Sequence, residues 1–162
     1  MSTAAGAATW VASTPLADLM RSHLWLYPIV EIVHILGFVV LVGGVSLFVV
    51  RVLGFARALP VDLLGRHLLP WSLASVGLVV PAGLLLFSAD PHSLVNNPAF
   101  QLKLGLIGCA GINALLFHLG PYRGVARWNV ASPAPAAARA QALLSILLWI
   151  AIICCGRLLA YV

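Results

Sequence analysis

Residues 27–50 read YPIVEIVHILGFVVLVGGVSLFVV, from Tyr27 to Val50. Around Glu31 and His34 the stretch is a run of Leu, Ile, Val, Phe and Gly with no alternation of polar and apolar positions. A helix rising about 1.5 Å per residue needs about 20 such residues to cross a hydrocarbon core of about 30 Å. Backbone N–H and C=O groups in lipid must be paired within the segment, and a run without the two-residue period of a membrane strand does this as a helix.

Three more stretches have this character: Leu68–Ser88, Phe100–Gly120 and Ala140–Val162. The 162 residues are 62% hydrophobic and 8% charged, with a mean hydropathy of +1.08, too apolar for a water-soluble domain of this length. The expected fold is therefore all-α, a polytopic four-transmembrane-helix bundle over 27–162. An N-terminal segment, 1–26, precedes it. Within that segment Thr14-Pro15 reads as an N-cap followed by proline at the first helical position, with Asp18 in the first turn. A short interfacial helix over about 15–24 follows, anchored by Trp25 and Tyr27.

Four spans bring both termini to one face and the first and third connections to the other. The second face carries Arg51, Arg57, Arg66, Arg123, Arg127 and Arg139; the first carries Arg21 and, near span ends, Lys103 and Arg157. The positive-inside rule puts the Arg-rich connections in the cytoplasm and both termini outside a bacterial inner (plasma) membrane. Topology thus accounts for the net charge of +5, and no nucleic-acid partner is expected. The stretch to Met20 lacks a basic region followed by a compact apolar core, so the first span is expected to direct insertion. Arg51 and Arg66 are expected to snorkel to the inner headgroups.

Small residues mark the expected helix contacts: Gly37 and Gly44 a heptad apart, Gly105 and Cys109 four apart, Gly108 and Gly111 nearby. Cys109, Cys154 and Cys155 all fall in spans and are read as packing residues. Pro81, beside Gly77 and Gly83, suggests a kink in the second span. Residues 90–98 read as an ordered outer loop. Trp71, Trp128 and Trp149 are belt or packing aromatics. The chain carries no phosphate loop, nucleophile elbow, clustered Cys/His signature or internal repeat, so nothing in it suggests an enzyme acting alone.

The chemistry rests on ionisable residues inside the spans, which are costly there and mark function by default. They are Glu31, His34, Lys103, His118 and Arg157, with His67 at a span edge; Asn113, polar but not ionisable, lies near mid-membrane. At 1.5 Å per residue Glu31 lies about 6 Å and His34 about 10 Å below the outer end of the first span. Lys103 and Arg157 lie near the outer ends of theirs, so the four are expected to form one outer cluster. Glu31 and His34, three apart, share a helix face. His118 lies about 25 Å below the outer end of the third span, about 15 Å deeper than His34, so these two cannot be opposite axial ligands of one haem. His118 and His67 meet at the inner face if their helices are neighbours.

Three arrangements follow. His34, His118 and His67 are candidate metal ligands for haem b, with Lys103 and Arg157 as propionate partners and His92 as a further ligand from the outer loop. Alternatively Glu31, His34, Lys103 and Arg157 form a proton, quinone or small-substrate site. The third arrangement is a structural cluster that sets helix register, in which Asn113 joins helices by a hydrogen bond.

The motifs Glu31-Ile-Val-His34-Ile-Leu-Gly37, Arg51-Val-Leu-Gly54, Leu69-Pro70-Trp71, Asn97-Pro98-Ala99-Phe100-Gln-Leu-Lys103, Gly111-Ile-Asn113-Ala-Leu-Leu-Phe-His118 and Gly156-Arg157-Leu-Leu-Ala-Tyr161 stand in that order. As a set, from about Leu16 to Tyr161, the chain resembles a bacterial domain-of-unknown-function family of small four-span membrane proteins. Its layout is similar to b-type cytochrome membrane anchors and copper-resistance membrane domains, an analogy of architecture. The resemblance implies a four-span fold and singles out Glu31, His34, Lys103, Asn113, His118 and Arg157; His67 and His92 lie outside its motifs. The expected function is a membrane electron-transfer subunit that binds haem b or meets quinone, working as a homo-oligomer or beside a partner protein. The alternative is a cofactor-free transporter or assembly subunit with a structural or proton-linked cluster.

Overall fold

A computed structural model describes residues 3–159 and 161. All regular structure among them is helical. The long helices are α3 (Leu26–Leu53), α4 (Val61–Ala89), α6 (Pro98–Leu119) and α7 (Ala136–Leu158), each long and apolar enough to cross a membrane. Short helices α1 (Thr3–Ala12), α2 (Pro15–Ser22) and α5 (Pro91–Asn96) gather at one end, and a 3-10 helix, Pro121–Arg127, lies at the other; the two ends are called outer and inner after the topology expected above.

Three of the spans, α3, α4 and α7, are longer on the Arg-rich side than hydropathy suggests. Gly54, at φ +111°, closes α3 in the left-handed conformation that favours glycine, and its N–H reaches the carbonyls of Val50 and Arg51. α4 begins at Val61 rather than Leu68, because Arg66 pairs with Asp62 at 2.9 Å along the same face and the polar first turns remain helical. α7 begins directly after Pro135 and ends at Leu158; the expected last residue of that span, Val162, lies outside the described residues.

At the outer end α2 forms as expected. The Thr14 side chain accepts from the Ala17 N–H at 3.3 Å, Pro15 takes the first position, and Ala17 and Met20 are buried. Two short helices were not foreseen. α1 packs on α5, and α5 occupies the segment read as a loop, capped by the Asp90 carboxylate accepting from the Ser93 N–H.

α3 is the central helix of the bundle. It packs on α4 along their length and on α7, and α7 packs on α6. Among the described residues no Cα of α6 lies within 8 Å of one in α4 or α3. In the order α4–α3–α7–α6 the helices α4 and α6 thus have no close backbone approach, and they meet through side chains near their ends. Phe87 stacks on Phe100 at 5.6 Å at the outer end, and the Tyr122 hydroxyl reaches Gly65 at the inner.

The expected glycine contacts divide in the same way. A Cβ at Gly37 would stand 2.9 Å from Val79 Cγ2 and 3.2 Å from Leu78 Cβ, and one at Gly44 would meet the Ser72 hydroxyl, so α3 approaches α4 closely there. At Gly105, Gly108 and Gly111 a Cβ would meet nothing within 4 Å. These α6 positions do not make the intramolecular contacts expected of them. Nor do Cys109 and Cys154, which are exposed on the bundle surface, whereas Cys155 is buried.

The inner end corrects a second expectation. Arg51 does not snorkel outward. It is 2% exposed, and its guanidinium donates to the carbonyls of Leu59 at 2.6 Å, Arg57 at 3.2 Å and Asn129 at 3.0 Å. The planar fork serves several acceptors at once, so one side chain ties the α3–α4 turn to the α6–α7 connection. Asn129 adds a side-chain bond from the Asp62 N–H at 2.9 Å. Around this hub Phe48, Val52, Val61, Phe117, Trp128 and Ala138 form the largest core cluster.

Candidate functional site

His34 sits two turns into α3, half-buried, with its ring against α4. Its Nδ1 is 2.9 Å from the Val79 carbonyl. A carbonyl only accepts, so Nδ1 donates; in the neutral ring that leaves the lone pair on Nε2. A carbonyl has two lone pairs and so has room for a donor beyond the helix ladder. The ring lies over Gly83, where a Cβ would stand 3.1 Å from Cε1 and 3.5 Å from Nδ1, so glycine at 83 makes room for the imidazole. Position and tautomer of His34 are thus set by two residues of α4 that are not themselves ionisable.

Lys103, on the second turn of α6, is half-buried and turns toward α7, its Nζ 3.6 Å from where a Cβ on Gly156 would lie. It is close enough to His34 to interact with it electrostatically, as is Glu31. His34 and Lys103 are therefore brought to one region in the outer half of the bundle. The rest of the expected cluster does not assemble. Glu31 is exposed and forms no ion pair with Lys103 or Arg157; the ion pairs among the described residues are Arg21–Asp18 and Arg66–Asp62. Arg157 is exposed as well, and donates to the Tyr161 hydroxyl at 2.7 Å with its guanidinium over that ring. A local partner at i+4 holds it away from the interior.

At the inner end His118 is exposed, with Nδ1 2.8 Å from the Ala114 carbonyl one turn earlier, so it too presents Nε2. Its ring lies 5.2 Å from Tyr122. His67 is exposed on the second turn of α4; no Cα of α4 lies within 8 Å of one in α6 among the described residues, and Tyr122, beside His118, reaches Gly65 across the space between the two helices. Among the described residues no group of three or more His, Cys, Asp or Glu side chains is arranged to hold a metal ion. Asn113 is 7% exposed and donates to the Gln141 carbonyl at 3.0 Å, joining α6 to α7 as a polar link between spans.

Lys103 and His118 are 15 residues apart on one helix, about 22 Å. The outer pair and the inner histidine are therefore separate places. Comparison of the chain with protein-family models, curated proteins and solved structures yields no match.

Proposed function

We propose that the chain is a membrane electron-transfer subunit that holds haem b in the outer half of its bundle, with His34 Nε2 toward the iron and Lys103 toward a propionate. The observation that carries this is the 2.9 Å bond from His34 Nδ1 to the Val79 carbonyl. Histidines that ligate metals commonly donate their other ring nitrogen to a carbonyl, which fixes the tautomer and raises the basicity of the ligating atom. The residues fit the group in that respect: one imidazole is oriented so that its neutral form presents Nε2, and one ammonium with no ion pair among the described residues lies in the same region. A bound haem supplies one-electron chemistry. The chain supplies a fixed neutral imidazole, a charge-assisted donor for a carboxylate and apolar surroundings that hold water off. Arg157 and Glu31 take no part at this site, and His118 is a second, independent ligand candidate at the inner end.

A quinone head group is the second occupant to consider, because α4 and α6 have no Cα atoms within 8 Å of each other, a spacing that would suit entry from the lipid. Nε2 would accept from a quinol hydroxyl, and Lys103 would donate to a quinone carbonyl. In either case a partner protein or a second copy of the chain would cover that side. The exposed Arg57, Arg66, Arg123, Arg127 and Arg139 share one end, which supports a cytoplasmic position for it and both termini outside the inner membrane.

The test is the ultraviolet–visible spectrum of the detergent-purified protein, expressed with ample haem and recorded oxidised and then dithionite-reduced. A Soret band that is lost in His34→Ala, weakened in Lys103→Ala and kept in His118→Ala is the expected result. No Soret band in the parent protein overturns the haem proposal, and loss in His118→Ala alone moves the site to the inner end.

A further inference from the structure

We infer that the groove between the inner end of α3 and the start of α7 binds one anionic phospholipid, with its phosphate on Arg139. Leu53, Ala136, Arg139, Ala140 and Leu143 line a cavity of about 270 Å³ there, apolar apart from the single guanidinium. Its wall runs along the axis of α7: Leu143 lies about 10 Å further along the helix than Ala136 at 1.5 Å per residue. A ligand that fills it has an apolar chain beside Leu53, Ala140 and Leu143 and a charged head at the helix start, which is the shape of a phospholipid and not of a soluble anion.

The head-group chemistry follows from the charges nearby. Arg139 is exposed on the first turn of α7, whose N-cap residue, Pro135, makes no side-chain bond to the first amides. Arg57 folds over Gly54, next to the Leu53 wall, donating to the Gly54 carbonyl at 3.1 Å. Of the four carboxylates in the chain, Asp18, Glu31 and Asp90 belong to the outer end. Asp62 is the remaining one, and it is paired with Arg66 at 2.9 Å. A choline or ethanolamine head would therefore meet arginines and no free carboxylate, whereas a head of net negative charge meets only attraction. The occupant is a phosphatidylglycerol-like lipid of the inner leaflet, and the site is independent of any redox group at His34.

The experiment offers the detergent-purified full chain equal amounts of phosphatidylglycerol and phosphatidylcholine with identical acyl chains, and counts retained lipid by native mass spectrometry. One phosphatidylglycerol per chain is expected, favoured about fivefold, the attraction of one basic residue at a membrane surface. Arg139→Gln should bring the ratio to about one, while Arg127→Gln, away from the groove, should leave it unchanged; Leu143→Trp, which fills the groove, should lower retention of both lipids. Equal retention by the parent protein overturns the proposal without any variant having to fold. So does an unchanged ratio in Arg139→Gln, or an equal loss in Arg127→Gln, which would mean diffuse attraction in place of a site.

Discussion

Replacing Arg51 by methionine removes a guanidinium from a place where it is 2% exposed while keeping a stem of similar length. Three carbonyls lose their donor: Leu59, bonded at 2.6 Å, Arg57 at 3.2 Å and Asn129 at 3.0 Å. Hydrogen bonds to a charged group contribute about 1.5–3 kcal/mol each, but burying the charge opposes them, and carbonyls in the exposed 55–59 turn regain water when the arginine goes. The expected net loss is about 2–4 kcal/mol, or a fall in melting temperature of about 5–15 °C for a chain of this size. Thermal unfolding in detergent, followed by tryptophan fluorescence, reads this well because Trp128 lies buried in the adjoining cluster. Arg51→Lys keeps the charge without the fork and should fall between the two. A melting temperature for Arg51→Met equal to that of the parent would refute the reasoning and return Arg51 to the headgroups.

Two further outcomes test the packing. Burial, and after it the charge of Asp62, push the Tyr122 phenol above its ordinary value, against an opposing effect of Arg66. A raised folded-state value means stability that is complete below the unfolded value of about 10 and lost as pH rises through the folded one. Tyr122→Phe should therefore lose less melting temperature than the parent between pH 8 and 11, and parallel losses would contradict the assignment. Gly37→Ala puts a Cβ 2.9 Å from Val79 Cγ2 and should cost about 1–3 kcal/mol, whereas Gly108→Ala meets nothing within 4 Å and should stay within about 0.5 kcal/mol of the parent. Equal effects at the two glycines would show that α3 and α4 do not approach as described.

What was legible in the sequence was whatever hydrophobicity and local spacing control. The four spans, the Thr14-Pro15 helix start and the two-ended distribution of charge all belong to that class. The Asn113 link between helices was also legible, since an amide near mid-membrane needs a partner. Helix order was not legible, and the errors trace to it. No Cα of α6 comes within 8 Å of α4 or α3, and a Cβ at Gly105, Gly108 or Gly111 would meet nothing within 4 Å among the described residues. Arg51 was misjudged because its acceptors are backbone carbonyls of two loops, one of them 78 residues away, and carbonyls leave no mark in a residue pattern. Gly83 and Val79 escaped for the same reason: they position His34 through a missing Cβ and a carbonyl. The one usable signal was a glycine two residues after Pro81 in the helix that packs on α3.

A common rule runs through both ends of the bundle and bears on what the outer site takes. Arg51 and His34 each donate to backbone carbonyls and not to carboxylates, a solution that satisfies the donor without burying a second charge. Lys103 has no such arrangement. It is half-buried in a span, forms no ion pair among the described residues, and the nearby carboxylate, Glu31, stays exposed without reaching it. An ammonium held this way is costly in lipid, and an anion brought to it offsets that cost where a neutral ligand offsets little. A haem propionate is such an anion and a quinone head group is not, so within the proposal Lys103, without an ion pair among the described residues, favours haem b more than the histidine that either ligand would use.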